Sequence, residues 1–391
     1  MRLRALLLRH WPAILALAAI AILVLLPPEP SRPAGEVPPV EAFRARVLEV
    51  RAWDDGTGTS VDPAADPAEL DGDIRVVLLE GPDAGTERWA WLALPDTEAA
   101  PSDFAPGDEV VVTVARMPDG PAFVGVSERW RLPALEILLG AFLVLVVLVG
   151  RGHGVRALIG LTLGALLVLR VVIPAILGGA PPVPVALGVA SLVAVASIVL
   201  TEGTGRTSAA ALAGTLMALA VTGLLSALVG VAAAFSTAGT EDLVFLRTAA
   251  GAIDVRGLLL AAFILGALGV LDDVTVTQAA TVAELATPDG PRGRALWAAA
   301  MRVGRAHIGA TVNTLFLAYV GASLPLLVLF AVSDLPAALV VNRELVAIEV
   351  ARTLVGSIGI VLAVPCTTAI AVVLADRAAR APGAATARGS D

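Results

Sequence analysis

Apolar residues recur along this chain in two rhythms. The first is continuous, with mostly apolar runs near Trp11 to Leu26, Leu132 to Val149, Leu158 to Leu177, Val183 to Leu200, Ala209 to Phe235, Leu258 to Val282, Ile308 to Phe330 and Thr353 to Leu374. A helix of about 20 residues, rising about 1.5 Å each, crosses roughly 30 Å of hydrocarbon. The runs therefore predict eight transmembrane helices. The second rhythm alternates with a period of two. It appears in "FRARVLEV" (43 to 50), "DIRVVLLE" (73 to 80), "ERWAWLAL" (87 to 94), "DEVVVTVA" (108 to 115) and "AFVGVSER" (122 to 129), separated by Gly, Pro and Asp turns.

Five strands in about 100 residues predict a small barrel or sandwich, and "PGDEVVVTV" (106 to 114) resembles the turn and strand of OB-like barrels. The expected fold is thus an α-helical polytopic membrane protein with a small all-β domain, an OB-like barrel or a sandwich, between its first and second helices. Residues 1–27 read as a signal-anchor helix, 28–131 as the β-domain with the Pro-rich linker "PPEPSRPAG", 132–376 as a seven-helix bundle and 377–391 as a disordered tail. The first run follows Arg2, Arg4 and Arg9 without a small-residue cleavage site close behind, which favours an uncleaved anchor over a cleaved signal peptide.

Arginine placement sets the expected orientation, because short cytoplasmic loops collect positive charge. With eight spans and the N-terminus inside, Arg151, Arg156, Arg206, Arg292, Arg294, Arg302, Arg305, Arg377, Arg380 and Arg388 all fall in the cytoplasm. The β-domain then lies outside and both termini inside.

Composition agrees with this reading: 57% of the 391 residues are hydrophobic and 16% charged, against roughly 45–50% and about 25% in soluble domains. Between Glu29 and Arg131 there are 21 acidic residues and 9 Arg, so the soluble portion lacks the basic footprint that nucleic acid requires. With a single cysteine, Cys366, the chain can form no internal disulfide or Cys-based metal site. Cys366 reads as a small core hydrophobe.

Candidate chemistry concentrates in "GVLDDVTVTQAATVAEL" (269 to 285), where an apolar run carries Asp272 and Asp273 side by side. A carboxylate at the centre of a membrane helix costs about 2.5–3.5 kcal/mol or more, which marks the pair as a candidate ion or proton site. At 100° per residue Asp273, Thr277, Ala280, Thr281 and Glu284 share one face, which must meet other helices or water. Asp272 lies about 100° away, so either one aspartate bonds to a neighbouring helix or this helix is broken, as at the ion sites of many secondary transporters. In the next run His307, Thr311 and Thr314 share a face, with Asn313 on another. His307 reads as the only histidine near membrane depth, either a proton partner for a carboxylate or an interfacial residue beside Arg305. Glu202 in "VLTEGTGRTS" (199 to 208) reads first as a helix terminus, and Glu349 with Arg352 as an i,i+3 pair or an interfacial lead-in to the last span. Trp53, Trp89, Trp91 and Trp130 read as barrel core or interface packing before a ligand groove. There is no phosphate-binding loop, His-Glu-x-x-His or Gly-x-Ser-x-Gly motif.

The segments "GALGVLDDVTVTQAATVAEL" (266 to 285), "GATVNTLFLAYVGASLPLL" (309 to 327) and "EVARTLVGSIGIVLAVP" (349 to 365) resemble the YibE/F-like family of bacterial multi-pass membrane proteins, the Asp-Asp-Val-Thr stretch most specifically. The resemblance implies a bacterial plasma-membrane protein and supplies no reaction. The expectation is a secondary transporter or permease rather than an enzyme, without a cofactor and with its metal preference open. Asp272 and Asp273 form the site, Thr275, Thr277, Gln278 and Thr281 supply oxygens, Asn313 with Thr311 or Thr314 closes it from the next helix, and Glu284, His307 and Glu349 are its outlying candidates. The alternative is an envelope-organising or signalling protein whose outer domain binds a protein or ligand partner. The bilayer is the one partner both readings share. Homo-oligomerisation is open, with "GLTLG" (160 to 164) as small-residue spacing that lets helices approach closely.

Overall fold

The computed structural model describes residues 41–50, 74–92, 103–115, 123–235, 253–333 and 335–380. The expected anchor helix at 11–26, Trp53 and the tail from 381 lie outside the described residues. The chain divides between Leu145 and Val146 into two compact units, a boundary inside the helix that follows the β-domain rather than at its start.

Among its described residues the first unit holds five strands, β1 (Glu41–Val50), β2 (Ile74–Leu78), β3 (Glu87–Leu92), β4 (Glu109–Ala115) and β5 (Phe123–Arg129). They close into a barrel in the order β1-β2-β3-β5-β4, with β3 and β5 parallel and the other pairs antiparallel. All five strand-length runs in the sequence are therefore strands, and the barrel rather than the sandwich is observed. Period-two alternation builds the core: Val110, Val112 and Val114 point inward beside Val76 and Val126, while Val111 and Thr113 remain half-buried. Register shifts at Val47/Glu49 and Val111/Val112 bend the strands toward closure. The outer face is ionic, with Arg46 pairing Glu109 at 3.0 Å and Arg44 stacked 5.4 Å over Trp130. Trp89 and Trp91 are half-buried.

The second unit is helical. Its elements are α1 (Leu132–Leu167, which begins in the first unit), a wide π turn at Val168–Val172, α2 (Ile173–Leu177), α3 (Pro182–Glu202), α4 (Arg206–Ala232), α5 (Val255–Leu285), α6 (Gly293–Ala322), α7 (Leu324–Ala331), α8 (Ala337–Asn342) and α9 (Glu344–Arg380). Among the described residues five helical stretches are long and apolar enough to cross a membrane, or six if the bent pair α6–α7 is one span.

The runs at 132–149 and 158–177 are two helical segments of one 46-residue stretch, parted by a non-helical Arg151 (φ 48°, ψ −131°) in the gap between the two apolar runs. Gly154 lies against the carbonyl of Val146, too close for any Cβ. In a straight helix residues eight apart are about 12 Å apart along the axis, so the break is sharp. The run at 308–330 is not straight either, because α6 and α7 meet at Ser323 with a 65° bend. By contrast α5 runs unbroken through Asp272 and Asp273, so the broken-helix alternative does not describe it.

α4, α5 and α9 pack at the centre, with α3 against α4 and α5 and α6 against α5 and α9. Their close approach follows from small residues. Ala186, Ala190 and Ala194 form a buried four-residue-spaced stripe on α3. Gly214 and Gly359 each leave room for only a threonine of the neighbouring helix, Thr367 and Thr222 respectively. Such spacing, with hydrogen bonds across helices, is how apolar helices associate where lipid competes equally for apolar surface. The bonds here include Thr215 to Thr275 at 2.5 Å and Gln278 Nε2 donating to Thr368 at 2.8 Å and to the Ala300 carbonyl at 3.2 Å.

These pairings fix the helix directions. Gly214 meets Thr367 and Thr222 meets Gly359, so α4 runs opposite to α9; Gly356 meets Leu315 and Gly304 meets Val364, so α6 does too. The ends of α3, α5 and α9 and the starts of α4 and α6 consequently gather at one end of the unit. Arg206, Arg292, Arg294, Arg377 and Arg380 all lie there.

Candidate functional site: the Asp272–Asp273 groove

α5 faces the bundle core with Leu271, Val274, Thr275, Gln278 and Val282. Helical geometry then turns Asp273, one residue after Asp272, outward. Asp273 is exposed and Asp272 half-buried. Both line an open groove of about 430 Å³.

Three helical segments build it. α5 contributes Gly269, Asp272, Asp273 and Val276; the end of α3 contributes Ser197, Thr201 and Glu202; and α1 contributes His153, Gly154 and Ala157 just after its break. The positions follow from local sequence. Gly160 faces Ser197 and Gly164 faces Val193, so the small residues of "GLTLG" are used within this chain, to lay α1 on α3. The alanine stripe of α3 lays that helix on α5 in turn.

Asp272 is held asymmetrically. Ser197 Oγ donates to its Oδ2 at 2.8 Å, while its Oδ1 is buried with no hydrogen-bond partner among the described residues. A buried oxygen without a donor is costly, and here it lies beside a groove that can admit one. Exposed His153 and Glu202 stand at the groove's mouth, with Glu202 the last residue of α3. Ser197 is five residues before that terminus, about 7.5 Å along the axis. The aspartates are thus reached from the Arg-rich end of the unit.

The other candidates divide by position. Thr275 is buried, shares a hydrogen bond with Thr215 and donates to the Asp272 carbonyl at 3.1 Å. Gln278 is buried and committed to Thr368 and Ala300. Thr277 and Glu284 are exposed and Thr281 bonds back to the Thr277 carbonyl, so the polar stripe expected on α5 lies on its outer side, uncovered by the described residues. On α6, Asn313 and Thr314 are exposed, Thr311 bonds to the His307 carbonyl and His307 is half-buried with Nε2 unpartnered among the described residues. None of these four lines the groove, which α3 and α1 close instead of α6. Glu349 lies elsewhere, paired with Arg352 at 3.1 Å.

Sequence reading missed His153, Ser197 and Thr201, and took Glu202 first as a helix terminus, which it also is. His153, not His307, is the histidine beside the aspartates. The available signal was the small-residue spacing of residues 160–164 and 186–194, which marks α1 and α3 as close-packing partners. No group of three or more His, Cys, Asp or Glu among the described residues is arranged to hold a metal ion.

Compared with known proteins, the chain matches the family model described as YibE/F-like protein over residues 138–377, more than half its length. No curated protein and no solved structure matches.

Proposed function

From the premise that the chain belongs to the YibE/F-like family, we propose that it is a secondary transporter or permease of the bacterial plasma membrane whose ion or proton site is the Asp272–Asp273 groove. The observation that carries this reading is the half-satisfied carboxylate. Asp272 has one oxygen fixed by Ser197 and the other unpartnered beside an open groove, an arrangement suited to a transient proton or cation. Asp273, exposed in the same groove, is the group that exchanges with solvent, and His153 and Glu202 at the mouth relay or attract the ion.

The gathering of arginines at the groove's end supports a cytoplasmic opening by the positive-inside bias. In that orientation the barrel is extracytoplasmic and the C-terminus cytoplasmic, with the N-terminus on the same side if the first apolar run spans.

The test is reconstitution of the purified protein in liposomes, following internal pH while Na⁺, K⁺ and pH gradients are imposed one at a time. Gradient-dependent flux that falls at least tenfold in Asp273→Asn, with the variant still inserted, is the expected result. Normal flux in that variant would remove the aspartates from the mechanism.

A second reading rests on the barrel, a compact unit with its own core. Its strand order is OB-like, a class whose strand faces and loops bind ligands. In an envelope-organising or signalling role, function survives Asp273→Asn and is lost on deleting Val40 to Trp130.

A further inference from the structure

A second cavity, about 550 Å³, opens at the Arg-rich end of the bundle and shares no residue with the aspartate groove. Its walls are the first turn of α4, the last turns of α5 and α9, and the loop between α5 and α6. The chemistry of the lining is divided. Along α5 and α9 it is apolar, with Val282, Ala283, Leu374 and Ala375 among its residues, and at its rim stand Arg206 and Arg292.

The two arginines differ from five in the first unit. There Arg44, Arg46, Arg75, Arg129 and Arg131 each pair with a carboxylate. Neither Arg206 nor Arg292 forms an ion pair with any described residue, and Arg292 uses one nitrogen, Nη2, on the carbonyls of Thr287 and Pro288 at 2.9 and 3.3 Å. Those two bonds anchor the guanidinium and leave its other nitrogens free. Two arginines from different elements, one anchored, over an apolar recess of ligand size suit a phosphate-bearing amphiphile: guanidinium groups take phosphate oxygens in a fork, and the recess takes the adjoining hydrocarbon. An inorganic anion would leave the apolar wall empty, and a zwitterionic headgroup would set a cation beside the arginines.

We propose that this cavity binds the headgroup and upper acyl chain of an anionic phospholipid at the bundle's Arg-rich end. Basic pockets between membrane helices are a general solution for such headgroups. The site fastens the ends of α4, α5 and α9 together through one ligand.

The test is a lipid-retention measurement on the full-length protein in mild detergent, by native mass spectrometry, with phosphatidylglycerol, phosphatidylcholine of the same chains, and inorganic phosphate as the three probes. Wild type is expected to retain phosphatidylglycerol at least tenfold better than phosphatidylcholine, and Arg206→Gln/Arg292→Gln to lose that preference. A second variant, Ala375→Leu, narrows the recess without touching charge and is expected to lower retention severalfold while remaining monodisperse. If phosphate alone competes fully with the lipid, the apolar half of the site plays no part and the lipid assignment is overturned. Equal retention by wild type and both variants overturns it as well.

Discussion

Two places in the helical unit hold charge within an apolar bundle, and they do so in opposite ways. At the start of α9, Glu349 and Arg352 lie one turn apart with Nη1 to Oε1 at 3.1 Å, and the guanidinium stands 5.6 Å from the Phe263 ring and 5.9 Å from that of Tyr319. Nine residues further along α5 from Phe263, about 14 Å on the axis, Asp272 has a serine as its donor and no cation partner among the described residues. The first place answers the cost of a charge with an opposite charge and ring contacts, although Arg352 Nε is buried without a hydrogen-bond partner among the described residues. The second leaves an oxygen unanswered beside an open groove. The difference that matters is the counter-charge: Glu349 already has a cation, whereas Asp272 has only a neutral donor and can take an arriving one.

If that contrast is right, stability should depend most on the Glu349–Arg352 pair. Breaking a buried pair costs about 3–5 kcal/mol; with a quarter of each side chain exposed (24% and 28%), Arg352→Met is expected to cost about 2–3 kcal/mol, measured by unfolding the detergent-solubilised protein. Glu349→Gln/Arg352→Met should recover most of that loss, because no lone charge remains. A double variant as unstable as the single one would mean that the rings and packing, not the pairing, hold this end together.

A smaller effect is expected in the polar core. Gln278→Leu removes the donor to the Thr368 hydroxyl and the Ala300 carbonyl, and buried acceptors left bare cost about 1–3 kcal/mol. Its unfolding free energy should fall by about 2 kcal/mol while gradient-driven flux per folded molecule is unchanged. A flux loss larger than the loss of folded protein would make Gln278 part of the transport path. Ser197→Ala deletes one interhelical bond, and membrane hydrogen bonds average about 0.6 kcal/mol with a maximum near 1.7, so it should cost less than Gln278→Leu. It should nonetheless change the ion dependence of flux, since the orientation of Asp272 is lost.

What could be read in advance follows the range of the forces involved. The strands were legible because a barrel wall alternates core and surface residue by residue, as Val110 to Val114 do. Apolar helices were legible because a span is long and continuous. The breaks were legible only where apolarity lapses, as between Val149 and Leu158. Asp272, Asp273 and the threonines after them looked capable of unwinding α5, yet Asp272 bonds across to Ser197 and Thr281 back along its own helix, so the backbone ladder survives. The actual interruptions fall at Arg151 and Ser323. The site was half legible for a similar reason: periodicity gives the faces of α5 but not which helix meets them. His153 and Ser197 stand 119 and 75 residues before Asp272 in the chain, and tertiary packing brings their helices together, Gly160 against Ser197 and Gly164 against Val193.

The smallest stability effect carries the sharpest version of the comparison. Asp273 is exposed in the groove and makes no hydrogen bond or ion pair in the described structure. Replacing such a residue typically changes stability by no more than about 0.5 kcal/mol, and Asp273→Asn, nearly isosteric and uncharged, should fall within that range by thermal unfolding. The same substitution should abolish gradient-coupled flux. Structural and functional roles thus predict opposite signs of importance for one side chain. A variant that unfolds more easily by over 1 kcal/mol would show that its carboxylate helps hold the helices together, and the distinction between the ion pair on α9 and the open pair on α5 would disappear. An undisturbed fold with lost coupling would instead explain why Asp273 stands beside Asp272 on α5: its carboxylate is retained for exchange, at a position that gives the fold almost nothing.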